Sequence, residues 1–70
     1  MADKIKRQVT IAGVRYTLSG EAGEEHLQEC ADMVDKCMTD IQKSFSTLPD
    51  SMIAVLAACN IADQYLRLLD

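Results

Sequence analysis

The stretch "MIAVLAACNIADQYLRLL", residues 52 to 69, sets the problem for this chain. It holds no glycine and no proline, and it reads as one helix. Projected at about 100° per residue, its first half has no wet face, because Met52, Ile53, Val55, Leu56, Ala57, Ala58 and Ile61 ring the axis. Asn60, Asp63, Gln64 and Arg67 open a polar strip further on, while Ala62, Tyr65, Leu66, Leu68 and Leu69 keep the rest apolar. A helix apolar on every side must be surrounded. A chain of 70 residues has little to surround it with. The expected solution is a homodimer. Its interface is expected along Met52, Val55, Leu56, Cys59, Ile61, Ala62 and Tyr65.

The residues upstream supply part of the cover. Ile5, Val9 and Ile11 alternate with Lys4, Lys6, Gln8 and Thr10, with Arg7 on the apolar side. Val14, Tyr16 and Leu18 alternate with Arg15 and Thr17. Period two predicts strands, and Ala12-Gly13 between them predicts a reversal. Residues 4–18 are therefore read as a β-hairpin. After "SGEAGEE" the spacing changes to steps of three and four, through Leu27, Cys30, Ala31, Val34, Met38, Ile41 and Phe45. That stripe predicts a first helix over 22–45, with Glu21, Glu24 and Glu25 near its positive end. Thr47 and Asp50 have the spacing of a capping box, with Pro49 tolerated in the first turn of a second helix over 49–70. No stop signal closes that helix, so it is expected to continue into a longer protein. The expected fold class is α+β, a hairpin followed by two helices, the second long and leading into a coiled coil.

Several function classes are disfavoured. The net charge is -4, against the positive surface of a nucleic-acid binder. The basic cluster Lys4–Arg7 reads as a solvated strand end. The N-terminus lacks the apolar core of a secretory signal, and no unbroken apolar run reaches the roughly 18 residues that cross a bilayer. No nucleic acid, membrane or cofactor is expected as a partner. Three cysteines without a close pair favour free thiols in the cytoplasm.

The candidate chemistry is thin. His26, Cys30, Cys37 and Cys59 supply the donor types of a structural zinc site, but no CxxC fixes two of them, and buried cysteine commonly acts as a small hydrophobe. A zinc-stabilised or redox-sensing domain built on these four residues is the alternative reading. Thiol catalysis needs a base and an electropositive setting. The lone histidine, His26, stands among Glu24, Glu25 and Glu29 instead. Asp32, Asp35 and Asp40 read as a solvated helix face. No catalytic, cofactor or metal residues are assigned, and no enzyme is expected. What remains is interaction, with Arg15 at a basic hairpin tip and Lys36 and Lys43 on one side of the first helix.

Three runs, in order, resemble one family. "VTIAGVRYTL" matches a hairpin of the form V-x-I-x-G-x-x-Y-x-L, "EEHLQECADMVDKCMTDI" an acidic helix start followed by an apolar position, an alanine and V-D, and "VLAACNIAD" the most specific run. The chain resembles the ZapA-type cell-division proteins of bacteria. That resemblance implies a single head domain over 1–70 that dimerises and binds FtsZ. It further implies cross-linking of FtsZ protofilaments, support of Z-ring assembly at the mid-cell division site, and tetramers where a coiled-coil tail follows. It implies FtsZ contacts through Arg15, Lys36 and Lys43. Two departures stand out. The tail is barely begun, and Val14 follows the turn glycine where some members carry a basic residue. A dimerisation module for another partner is the further alternative.

Overall fold

The computed structural model describes residues 4–70. The first three residues of the expected domain 1–70 lie outside the described residues. Four elements follow one another: strands β1 (Ile5–Ile11) and β2 (Val14–Gly20), then helices α1 (Glu24–Ser44) and α2 (Asp50–Leu69). The chain divides into two compact units, the first ending at Asp35 and the second running from Lys36 to Asp70. The residues of α1 contribute to both.

In the first unit, β1 and β2 pair antiparallel, with Val9 opposite Tyr16 and Ile11 opposite Val14. The reversal uses positive φ at two residues, 52° at Ala12 and 79° at Gly13. Two central residues of that hand suit the right-handed twist of a two-stranded ribbon. Gly13 adopts it freely, whereas Ala12 does so at a cost of about 1–2 kcal/mol. The pairing runs on to Ile5 opposite Gly20, two residues beyond the expected hairpin end. The side-chain pattern fades after Leu18, but backbone pairing does not need it. Leu27 fits there, its Cδ2 lying 3.1 Å from where a Cβ on Gly20 would stand.

Val9, Leu27 and Ala31 are buried in this unit. Full burial of a side chain such as Val or Leu contributes about 1.5–3 kcal/mol. Arg7, on the same side of β1 as Val9, is half-buried rather than solvated with its neighbours Lys4 and Lys6. Its Nε donates to Gln28 Oε1 at 3.3 Å, and its guanidinium lies 3.6 Å from the Glu24 carboxylate. Gln28 in turn donates to Asp32 Oδ1 at 2.8 Å. The basic cluster of the sequence is therefore split. Arg7 anchors the strand, and the lysines face water.

Gly23, with φ of 104°, lies outside helical geometry, so α1 begins at Glu24 and not at Ala22. The Leu27 N–H donates back to the Gly23 carbonyl at 3.1 Å. The helix closes at Ser44, one residue short of the expected Phe45. Its buried stripe is narrower than predicted. Leu27, Ala31, Met38 and Ile41 are buried, whereas Cys30, Met33 and Phe45 are exposed.

In the second unit, Met38, Ile41, Ile53 and Ala57 are buried. Pro49, extended at φ -68° and ψ 153°, is the N-cap of α2. Its carbonyl receives the N–H groups of Met52 and Ile53 at 3.0 and 3.1 Å. Asp50 is consequently the first helical residue rather than the third, the place a capping box on Thr47 would give it, and the expected box between Thr47 and Asp50 does not form. The Asp50 charge still favours the helix start. Length and composition alone make α2 long and apolar enough to cross a bilayer, although no unbroken apolar run in it reaches the roughly 18 residues of the sequence expectation. Counting an unbroken run stops at Asn60. The helix as a whole carries few charges, and Asp63 pairs with Arg67 one turn on, at 3.1 Å.

Candidate interaction surfaces

The inward side of α2 is defined by Ile53 and Ala57, with Ile61 half-buried one turn further on. Near its middle, Cys37 of α1 donates its thiol to the Ala57 carbonyl at 3.7 Å. The Asn60 amide donates to the same sulfur at 3.9 Å. Cys37 is thus a polar peg between the two helices of this unit. Asn60, read in the sequence as the start of a wet face, has a specific partner.

The other side of α2 is apolar and in solvent. Met52, Val55, Cys59, Ala62, Leu66 and Leu69 are all exposed. They follow one another at steps of three and four, the spacing of a coiled-coil seam. Val55 is 61 % exposed and Leu66 likewise 61 %, values far above those of a satisfied helix face. Leu56 and Tyr65 flank the seam and are also exposed. Of the seven residues expected at an interface, six lie on this open side, and Ile61 sits at its inner margin. Leu66 and Leu69, outside that expected set, are exposed on the same side. The three-four spacing begun at Met52 carries directly to them and was the signal available.

The hairpin carries a different surface. Its outward face is polar on both strands, with Lys6 opposite Ser19, Gln8 opposite Thr17 and Thr10 opposite Arg15. Lys6 and Arg15 supply positive charge, and no carboxylate stands at any of those six positions. Beside it a shallow cavity of about 290 Å³ is lined by Gln8, Val9, Thr10, Arg15 and Gln28. Arg15 is exposed. In the second unit Lys36 and Lys43 are exposed on one side of α1, with Lys43 in its last turn, where a cation suits the dipole.

Asp35 also departs from the sequence reading. Its Oδ1 accepts the Ala12 backbone N–H at 2.7 Å, so this carboxylate holds the hairpin turn rather than simply facing water. The cysteines do not gather. Cys30 and Cys59 are exposed and Cys37 is half-buried. Among the described residues no group of three His, Cys, Asp or Glu side chains stands ready to hold a metal. The zinc reading built on His26, Cys30, Cys37 and Cys59 finds no support.

These features define a class: a small α+β association module whose second helix keeps an apolar seam open to solvent. The comparisons with known proteins agree. The family model "Cell division protein ZapA" matches residues 8–70. A cell division protein ZapA of Oceanobacillus iheyensis is 39% identical over 66 residues, covering 94% of this chain and 77% of the relative. One from a Geobacillus species is 39% identical over 70 residues, covering 97% and 80%. A solved ZapA mutant dimer from Geobacillus stearothermophilus superposes with a TM-score of 0.81 at 33% identity, covering 94% of this chain and 77% of that one. The chain belongs to the ZapA family of cell-division proteins, which are not enzymes.

Proposed function

We propose that this protein is a homodimeric adaptor that binds FtsZ in the cytoplasm and links its protofilaments at the mid-cell division ring. Residues 1–70 act as one head. The observation that carries this reading is the exposed seam from Met52 to Leu69 on α2, in a chain whose solved relative is a dimer. A second copy is the occupant that covers such a seam most economically. A two-fold dimer presents the same patch on both subunits, so Met52, Val55, Leu56, Cys59, Ala62 and Tyr65 each meet a copy of the same face. Ile61 supports it from the inner margin. A protein partner of this kind also accounts for the apolar character of α2 without a membrane.

Dimerisation duplicates every other surface. Two copies of Arg15, Lys36 and Lys43 are the contacts proposed for FtsZ, and two binding sites on one particle are the minimum for bridging. Bridging gains avidity only where both sites engage at once. Tetramers form if α2 continues as a coiled coil in a longer chain. Sedimentation equilibrium of the wild type and of V55D, paired with co-pelleting on FtsZ polymers, tests the proposal. The expected result is a wild-type dimer that pellets with the polymers and a V55D monomer that bundles them poorly. A wild-type protein that stays monomeric at micromolar concentration, or fails to pellet above a control protein, overturns it.

A further inference from the structure

On the exposed side of α1, the Cys30 Sγ lies 3.6 Å from the His26 Nε2. An ion held about 2.3 Å from a sulfur and about 2.0 Å from an imidazole nitrogen sees the two about 3.6 Å apart at a tetrahedral angle, and slightly further apart at a trigonal one. The two side chains already stand at the separation of two ligands on one metal. With no metal present, the same distance serves a thiol–imidazole hydrogen bond. Bringing the two ligands together therefore costs no rearrangement of the helix.

A third soft donor follows. Met33 is 56% exposed and sits three residues beyond Cys30, hence beside it on the helix surface. Helical side chains lean towards the N-terminus, the direction in which Cys30 lies from Met33. His26, Cys30 and Met33 belong to one unit and one helix edge. Glu25 and Glu29 stand nearby in sequence and make the setting attractive to a cation.

We propose that His26, Cys30 and Met33 form a three-coordinate site for a soft monovalent metal ion of the cuprous type. Thiolate and thioether sulfurs with an imidazole select such an ion. Zinc asks for a fourth ligand, and among the described residues no group of three His, Cys, Asp or Glu supplies one. On binding, the Cys30 thiol proton leaves to solvent as its sulfur coordinates the metal. The site does not depend on dimerisation or on FtsZ.

The test is competition for cuprous ion, supplied anaerobically as its acetonitrile complex, against a chromophoric cuprous chelator. Wild type is expected to withdraw one equivalent. C30S and H26Q are expected to weaken binding at least tenfold, and M33L about threefold, with far-UV circular dichroism confirming that each variant keeps its helices. Cys59, exposed but lacking an imidazole contact, is the internal control, and C59S is expected to bind like wild type. If H26Q binds as tightly as wild type, or C59S loses as much as C30S, the metal is held by bare thiols and the site is overturned. An unchanged M33L overturns the three-coordinate assignment.

Discussion

The Asp35 carboxylate of α1 accepts the backbone N–H of Ala12, at the hairpin turn, over 2.7 Å. This contact joins the strained residue of the turn to a fixed point on a helix. Ala12 has positive φ without being glycine, so the turn conformation carries a local cost that an external partner offsets. Asp35→Ala removes that partner. A hydrogen bond to a charged group contributes about 1.5–3 kcal/mol, and the partial exposure of Asp35 places the expected loss at the low end. The urea midpoint is expected to fall accordingly. Ala12→Asn, which supplies the Asn-Gly pair that this turn geometry prefers, is expected to raise it by a few tenths of a kcal/mol. A midpoint unmoved by D35A means that the turn holds itself.

The seam on α2 predicts which leucines matter. Leu66 continues the spacing of Val55, Cys59 and Ala62, whereas Leu68, 85% exposed, falls outside it. Residue type does not separate the two, and both are well exposed. Position separates them. L66D is expected to shift a micromolar dimer towards monomer in analytical ultracentrifugation, because a buried unpaired carboxylate at a seam costs several kcal/mol. L68D is expected to leave the dimer intact. Equal effects would show that the apolar surface associates without a defined register.

Much of this was legible in the sequence, and what was not shares a cause. Periodicity located both strands and both helices to within two residues, because burial on one face is written into side-chain type. The apolar second helix announced an unmet surface. What periodicity could not deliver were contacts made by polar side chains across elements. Asp35, Arg7 and Asn60 each look like solvent-facing residues when read along the chain, and each has a partner more than 20 residues away. Cys30 erred in the opposite direction. Its place on the stripe predicted burial, but the helix buries a narrower arc. The N-cap was missed because Pro49 fits equally well as the residue before the helix and as its first residue.

The polar hairpin face predicts a charge-dependent partner contact. Arg15 stands opposite Thr10, beside a cavity open to solvent, and none of the six residues paired across this face is acidic. R15E is expected to weaken co-pelleting with FtsZ polymers at least fivefold at low salt. Wild-type binding itself is expected to decline as ionic strength rises, since exposed charges are screened beyond about 10 Å at 0.1 M. K36E and K43E are expected to weaken it less individually. R67E, which removes the positive partner of Asp63 on α2, serves as a control for charge reversal elsewhere. Equal losses for R15E and R67E would reduce the effect to net charge.

The three cysteines give a reporter for each surface, because each has a different reason to be protected. Cys30 is exposed on α1, and its thiol is expected to react rapidly with a disulfide reagent at any protein concentration. Cys59 is exposed in one subunit but lies on the seam, so its labelling is expected to slow as protein concentration rises and the dimer fills. Cys37 is half-buried between Ala57 and Asn60. Its protection belongs to the single chain and is expected to be independent of concentration. Asn60→Ala removes one side of that enclosure and is expected to accelerate Cys37 several-fold, with a stability loss of about 0.5–1.5 kcal/mol for the lost contact. Mass spectrometry of pulse-labelled protein resolves all three rates in one experiment. Labelling of Cys59 that ignores concentration would remove α2 from the dimer interface, and labelling of Cys37 as fast as Cys30 would remove the peg between α1 and α2.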